Sequence, residues 1–399
     1  MTLVPTPPRM PTAVWALGLV SMLMDISSEI IHGLLPVYLV SVLGASMATV
    51  GLIEGMAEAT ASIVKIFSGV LSDRLGRRKM LALAGYGLAA VTKPVFPLVA
   101  SIGAVVAARF IDRIGKGIRG APRDALIADI TPPEIRGAAF GLRQSLDTIG
   151  AVLGPALAIA LMALGGGNYA LAFWAATVPA FAAVLVLALG VREPPDTKPN
   201  PDARLPIRRA DITVLGAAYW GVVAVAFVFS AARLGEAFLI LRAVDLGLGA
   251  MFAPAVLVVM NLGYVVTSYP AGVLSDRIGR RGLMAAGFGL FVVANSVLAL
   301  ADTLPLALAG IVLWGVHLGL TQGILSSLVA DVAPQAFRGT AFGTFNLVQG
   351  VALLVGNAAG GLLWVAAGPQ ATFSLSAGLT LIALAGFGAL TWLRRPGTD

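Results

Sequence analysis

Gly69-Val70-Leu71-Ser72-Asp73-Arg74-Leu75-Gly76-Arg77-Arg78-Lys79 recurs as Gly272-Val273-Leu274-Ser275-Asp276-Arg277-Ile278-Gly279-Arg280-Arg281-Gly282. Only Leu75/Ile278 and Lys79/Gly282 differ, and the copies lie 203 residues apart (73 to 276), about half of the 399-residue chain. A second pair keeps nearly the same register. Ala128-Asp129, Arg136-Gly137 and Ala139-Phe140-Gly141 return as Ala330-Asp331, Arg338-Gly339 and Ala341-Phe342-Gly343, an offset of 202 (129 to 331). Two duplicated signals in the same order mean one unit written twice.

The chain is 58% hydrophobic and 12% charged, with a mean hydropathy of +0.90. Soluble domains carry about 25% charged residues, so the solvent for this apolar surplus is lipid. There is no cysteine, which excludes disulfides, iron–sulfur ligation and thiolate metal sites. His32 and His317 are the only histidines, and no transition-metal centre or cofactor is expected from so few soft ligands. The net charge of +7 reads as the basic bias that orients membrane spans, not as a nucleic-acid footprint.

Apolar stretches long enough to cross about 30 Å of hydrocarbon fall near 13–42, 48–70, 80–97, 101–128, 138–163, 169–190, 211–240, 252–271, 283–300, 305–330, 339–364 and 370–392. Backbone in lipid must satisfy its own hydrogen bonds, and these runs are too long for barrel strands. The expected fold is therefore an all-α membrane protein of twelve spans, six per repeat. Alternate turns hold the basic residues, among them Arg74, Arg77, Arg78, Arg136, Arg277, Arg280 and Arg338; the turns between them hold no Lys or Arg. This asymmetry places both termini in the cytoplasm, in a multi-pass protein of the inner membrane. The first span is too long for a cleaved signal, and only Arg9 precedes it. A Pro-rich, charged linker near 191–210 separates residues 1–190 from 211–399. Six spans per copy keep both copies in one orientation, the parallel-repeat arrangement of rocker-type transporters.

Taken together, the Gly-x-x-x-Asp-x-x-Gly-Arg-Arg signature and its repeat make the whole chain resemble the major facilitator superfamily. Gly150-x-x-x-Gly154-Pro155 in the fifth span is similar to a motif of the drug–proton antiporter branch, departing from it where Ala156-Leu157-Ala158-Ile159 follows. The resemblance implies that Gly69, Asp73, Gly76, Arg77, Arg78 and Asp129, with Gly272, Asp276, Arg280 and Asp331, form a latch between turns that breaks as the halves rock. It also implies gating at Gly154 and Pro155 and a cavity lined by spans 1, 4, 7 and 10. Physically, Gly69 admits close helix approach and Asp73 faces a helix N-terminus. Arg77 and Arg78 can pair with Asp129.

Each repeat is a control for the other. The fourth span carries Arg109, Asp112, Arg113, Lys116, Arg119 and Arg123 where the offset of 202 gives Ile311, Trp314, Gly315, Leu318, Thr321 and Leu325. The second has Glu54, Glu58 and Lys65 against Leu257, Asn261 and Ser268. A charge in the bilayer costs about 3 kcal/mol, so charges one repeat omits point to a task other than folding. Arg109, Asp112, Arg113 and Lys116 lie on one helix face, as do Asp25, Glu29 and His32. We expect Asp25, Glu29 and Glu58 to carry protons with Arg113 as partner. Arg113-x-x-Lys116-Gly117 resembles the superfamily's fourth-span motif, whose Arg is implicated in proton transfer. Substrate contacts are expected from His32, Arg109, Asp112 and Lys116, and from the uncharged Asn261, Trp314, His317, Gln322 and Asn346. The alternative is a set of static ion pairs bracing the first repeat. Arg143 with Asp147, and Arg233 with Glu236, read as local pairs.

The expected activity is proton-coupled transport of a small organic solute by alternating access, in the export direction, with the proton gradient as energy source and no cofactor. The basic stripe also admits uptake of an organic anion by symport, and a non-transporting membrane sensor is a lesser alternative. No catalytic constellation or P-loop appears, so neither an enzyme nor an ATP-driven pump is expected. Gly115-Lys116-Gly117-Ile118-Arg119-Gly120 matches a dinucleotide fingerprint, but it follows no strand and lies inside a span. Expected partners are the solute and the bilayer, with no nucleic acid, and the chain is expected to act as a monomer.

Overall fold

In a computed structural model the described residues are 9–193, 214–321, 329, 332–333 and 338–392; at 269, 272–278, 280, 338–339 and 391–392 the description is limited to the backbone. Among the described residues there is helix and no strand. The expected 191–210 linker falls almost wholly outside them.

Local chemistry sets the helix ends. Helix α1 (Thr12–Val37) begins after Pro11 and runs into a π-helical turn at Tyr38–Val42. Ser46 then caps α2 (Met47–Leu75) by accepting from the Thr49 amide at 3.2 Å, which satisfies one orphan donor of the first turn. The same helix stops at Gly76, left-handed at φ 60°, a conformation that only glycine enters without strain. This explains one fixed letter of the duplicated signature. Arg78–Thr92 forms α3 and Val95–Leu98 the short α4. Ile102–Ile130 forms α5, capped by Ser101. Arg136–Leu164 is α6, and Tyr169–Gly190 is α7, capped by Asn168 through the amides of Ala170 and Leu171.

In the second half, Ala217–Ala232 forms α8 and Glu236–Asp245 forms α9. The stretch expected as one span over 211–240 is thus interrupted at Arg233–Gly235. Then come α10 (Ala255–Leu300), α11 (Leu304–Thr321) and α12 (Arg338–Trp392). The two longest helices contain non-helical glycines, Gly279 at φ 74° and Gly368 at φ 83°.

Nine helices among the described residues are long and apolar enough to cross a membrane. Large apolar side chains cover the outside: Phe67, Trp174, Phe181, Leu185 and Leu381 are all exposed. A soluble protein would bury such residues; here they meet lipid. The protein is a multi-pass membrane protein.

In the first half α1 packs on α6 and α7, and α5 on α2 and α3; in the second, α12 packs on α8 and α10, and α10 on α11. The halves meet along α2 with α12 and α6 with α10. The α2–α12 seam is backbone against backbone. A Cβ built on Gly51 would lie 2.3 Å from the Asn357 carbonyl oxygen, and one on Gly361 would lie 2.5 Å from that of Met47.

Candidate functional site

Two cavities lie between the halves. The larger, about 420 Å³, is lined by Asp25, Glu29, Lys116, Gln144, Asp147, Asn261, Tyr264 and Thr321, among others. The smaller, about 290 Å³, is lined by His32, Glu54, Glu58, Arg113, Trp314 and Asn357, among others. Glu29, Lys116, Arg233, Glu236 and Gln349 line both, which makes this group the centre of the site.

Backbone packing of α6 on α1 positions the acids of α1. A Cβ at Gly150 would stand 2.7 Å from the Met22 carbonyl oxygen and 3.0 Å from Asp25 Cβ. One at Gly154 would stand 2.7 Å from Glu29 Cβ. The glycines of the fifth-span motif thus seat α6 directly against Asp25 and Glu29, with Pro155 buried beside them. Any side chain there would push both carboxylates away.

The fourth-span stripe lies on one face of α5, but its members reach different neighbours. Arg109, 2% exposed, faces Glu54 at 3.7 Å. Asp112 turns away from the cavity to Lys93, the residue that ends α3, at 2.9 Å, and Lys93 also donates to Ser28 Oγ at 3.2 Å. Arg113 pairs with Glu58 at 3.4 Å. Lys116 looks into both cavities. Further along, Arg119 sits over the Tyr86 ring at 4.8 Å and Arg123 donates to Ser21 at 3.1 Å. Arg109 and Asp112, expected on the cavity wall, line neither cavity.

His32 lies among carboxylates from three helices. Its Nδ1 is 3.6 Å from Glu29 and 3.4 Å from Glu236, and its Nε2 is 3.6 Å from Glu54. Glu236 of α9 therefore reaches across to the first half instead of pairing with Arg233, as the sequence had suggested. The break that ends α8 is secured by Asn357, whose Oδ1 accepts from the Gly235 amide at 2.6 Å. Arg233 makes no ion pair within 4.0 Å among the described residues, and neither do Lys116 and Asp25. Arg143 does pair with Asp147.

The second half contributes neutral groups. Asn261 donates to the Ala151 carbonyl across the seam at 3.1 Å, and Gln349 donates to Ser230 at 3.4 Å. Trp314 borders the smaller cavity. His317 is fully buried, stacked on Phe291 at 4.1 Å and edge-on to Trp314 at 5.1 Å, so it is a packing residue outside both cavities. Asn346 is half-buried and lines neither cavity. Gln322 and Asp331 lie outside the described residues, and at Gly272, Asp276 and Arg280 only the backbone is described.

At the duplicated loop, Arg78 bonds Asp129 at 2.8 Å and lies 3.6 Å from Asp73. Arg77 contacts the Met80 sulfur at 3.9 Å instead. Gly69 approaches Ala121 with room for a methyl group, 3.4 Å from a built Cβ. Sequence reasoning missed Tyr264 on the wall and the cross-half role of Glu236. The signal available was the pair of charges flanking Gly235 inside an otherwise apolar stretch.

The sequence model of the Major Facilitator Superfamily matches residues 17–261 and 237–399. An uncharacterized transporter of this type from Methanocaldococcus jannaschii is 30% identical over 376 residues, covering 92% of each chain. The inner membrane transport protein YajR of Escherichia coli is 26% identical, covering 88% of this chain and 77% of its own. Among solved structures, the human organic anion transporter MFSD10 aligns at a TM-score of 0.68 with 21% identity, over 95% of this chain and all of that one. The nucleoside transporter NupG aligns at 0.72 with 16% identity, over 96% of this chain and 99% of its own. At these identities the structural likeness speaks for the fold. The duplicated signature, the helical architecture and the match along the chain together establish that this protein belongs to the Major Facilitator Superfamily of membrane transporters.

Proposed function

We propose that the protein is a proton-coupled exporter of a small organic solute, working by alternating access in the inner membrane with both termini cytoplasmic. The breaks at Gly279 and Gly368 divide the two longest helices and support a count of twelve spans in two six-helix repeats. The observation that carries the functional reading is Asp25: a carboxyl on the wall of a cavity shared by both halves, with no counter-ion within 4.0 Å among the described residues. Such an acid is free to take and release a proton as the halves move, and Lys116 across the same cavity is placed to stabilise its charged form. Glu58 and Glu29 are held by Arg113 and His32, which makes them secondary carriers. A cavity of about 420 Å³ is of the size that binds small organic molecules. Export is favoured by the glycine seat of α6 under Asp25 and Glu29, which is built from the antiporter-like motif.

A second reading, uptake of an organic anion, rests on Lys116 and Arg233, which face the cavities from opposite halves with no ion pair within 4.0 Å among the described residues. The test is reconstitution of the full chain with a pH dye inside the liposomes. Addition of the transported solute from a pooled library should move protons against it, and Asp25→Asn should abolish that movement while keeping solute binding. Unchanged proton movement in the variant would remove Asp25 from the mechanism, and proton flow with the solute would select symport.

A further inference from the structure

His32 is 8% exposed, and its Nε2 is buried without a hydrogen bond. Its three carboxylate neighbours sit at 3.4–3.6 Å, too far for good hydrogen bonds. Nδ1 of His32 and one oxygen each of Glu29 and Glu236 lie within 4.8 Å of one another. A tetrahedral ion with ligands at about 2.0–2.2 Å separates them by about 3.3–3.6 Å, which matches both distances from Nδ1.

We propose that Glu29, His32 and Glu236 form a binding site for a first-row divalent cation, with a fourth position open to the cavity. One imidazole and two carboxylates suit such ions, and three protein ligands plus an open position describe a site that exchanges its ligand. Glu54 stands at the other ring nitrogen and is itself faced by Arg109 at 3.7 Å. With Nδ1 on the ion, Nε2–H faces this carboxylate at 3.6 Å, and closing that gap on binding would give the carboxylate–histidine arrangement that fixes the tautomer of a ligating imidazole. Arg113 is engaged by Glu58. Lys116 and Arg233 on the same wall oppose a loosely held cation, so only direct ligation through these three atoms meets the charge. Two ligands come from α1 and one from α9, so a bound ion ties the two halves together. This site goes beyond the solute-transport reading and does not depend on Asp25.

The experiment is titration of the purified, tag-free full chain in detergent with Co2+, followed by its visible absorption and by calorimetry. We expect one saturable site with the intense bands of four-coordinate cobalt. Affinity should fall at least tenfold in His32→Ala and in Glu236→Gln, and less in Glu54→Gln. Zn2+ should displace the cobalt. His317→Ala, which removes the other histidine, should bind as wild type, and so should Asp25→Asn even where it loses proton movement. Glu236→Asp keeps a ligand of the same charge, so its partial retention separates lost ligation from lost fold. Absence of saturable binding by the wild-type chain would overturn the proposal, as would binding that survives both His32→Ala and Glu236→Gln.

Discussion

The two halves share duplicated sequence signatures and carry opposite chemistry at corresponding positions. Where the first half buries Lys93 against Asp112 at 2.9 Å, the corresponding residues of the second are Asn295 and Trp314. Asn295 donates to its own helix, to the Phe291 carbonyl at 2.8 Å, and Trp314 packs edge-on against Phe291 and His317. Arg113, paired with Glu58, corresponds to Gly315, whose added Cβ would fall 2.0 Å from the Met260 carbonyl oxygen. The helices can thus be held together by aromatic packing and close backbone contact alone. Buried ion pairs are weak stabilisers compared with apolar packing, so their concentration in one half reflects what that half does. A packed ring has one good position, whereas a carboxylate can change partners.

The sharpest way to break this comparison is Asp112→Ala, which leaves Lys93 buried and uncompensated. We expect a loss of about 3–5 kcal/mol, read as a lowered melting temperature in detergent, with most of it restored in Lys93→Met/Asp112→Leu. A double variant that melts normally and still transports would show that this pair is a brace. Next in size is Gly361→Leu, which overfills the seam against Met47 and Ala48 and should favour separation of the halves at that end by about 1–3 kcal/mol. A single cysteine placed at Met47 in this cysteine-free chain should then react faster with a water-soluble maleimide. In the second half His317→Leu should cost less than about 1.5 kcal/mol, since it exchanges one buried ring for an apolar side chain of similar volume. A loss as large as that of Asp112→Ala would erase the distinction between the halves. The smallest effect is expected at the loop, where Arg78→Ala and Asp129→Ala should each cost about 0.2–1 kcal/mol, less in high salt. Any strong transport defect there would come from gating and not from stability.

Much of the fold was legible because membrane thickness dictates the length of an apolar run. The first six stretches read from sequence coincide with helical segments to within a few residues, except that the second helix continues to Leu75 and the third stretch is broken between Thr92 and Val95. The interruption at Arg233–Gly235 was not read from sequence, and the partner that takes up its Gly235 amide, the Asn357 side chain, lies more than a hundred residues away. The stripe on α5 was read correctly as one face, but a face is not a neighbour. Periodicity places Arg109, Asp112, Arg113 and Lys116 on the same side of a helix, and packing then sends them to Glu54, Lys93, Glu58 and the cavity. His32 and Glu236 show the same limit most plainly. They lie 3.4 Å apart and 204 positions apart in the chain (32 to 236), and nothing local to either one announces the other.

The glycine seam between α2 and α12 has a mechanical consequence. A joint made of bare backbone carries no interlocking side chains that must withdraw before it parts. Apolar packing between the halves continues beside it, since one buried cluster takes in Val50 and Ile53 of the first half with Phe238 and Leu257 of the second. At these glycines the two surfaces present no side chain of their own for the other to catch on. Grip is left to the apolar cluster and the polar bridges beside it.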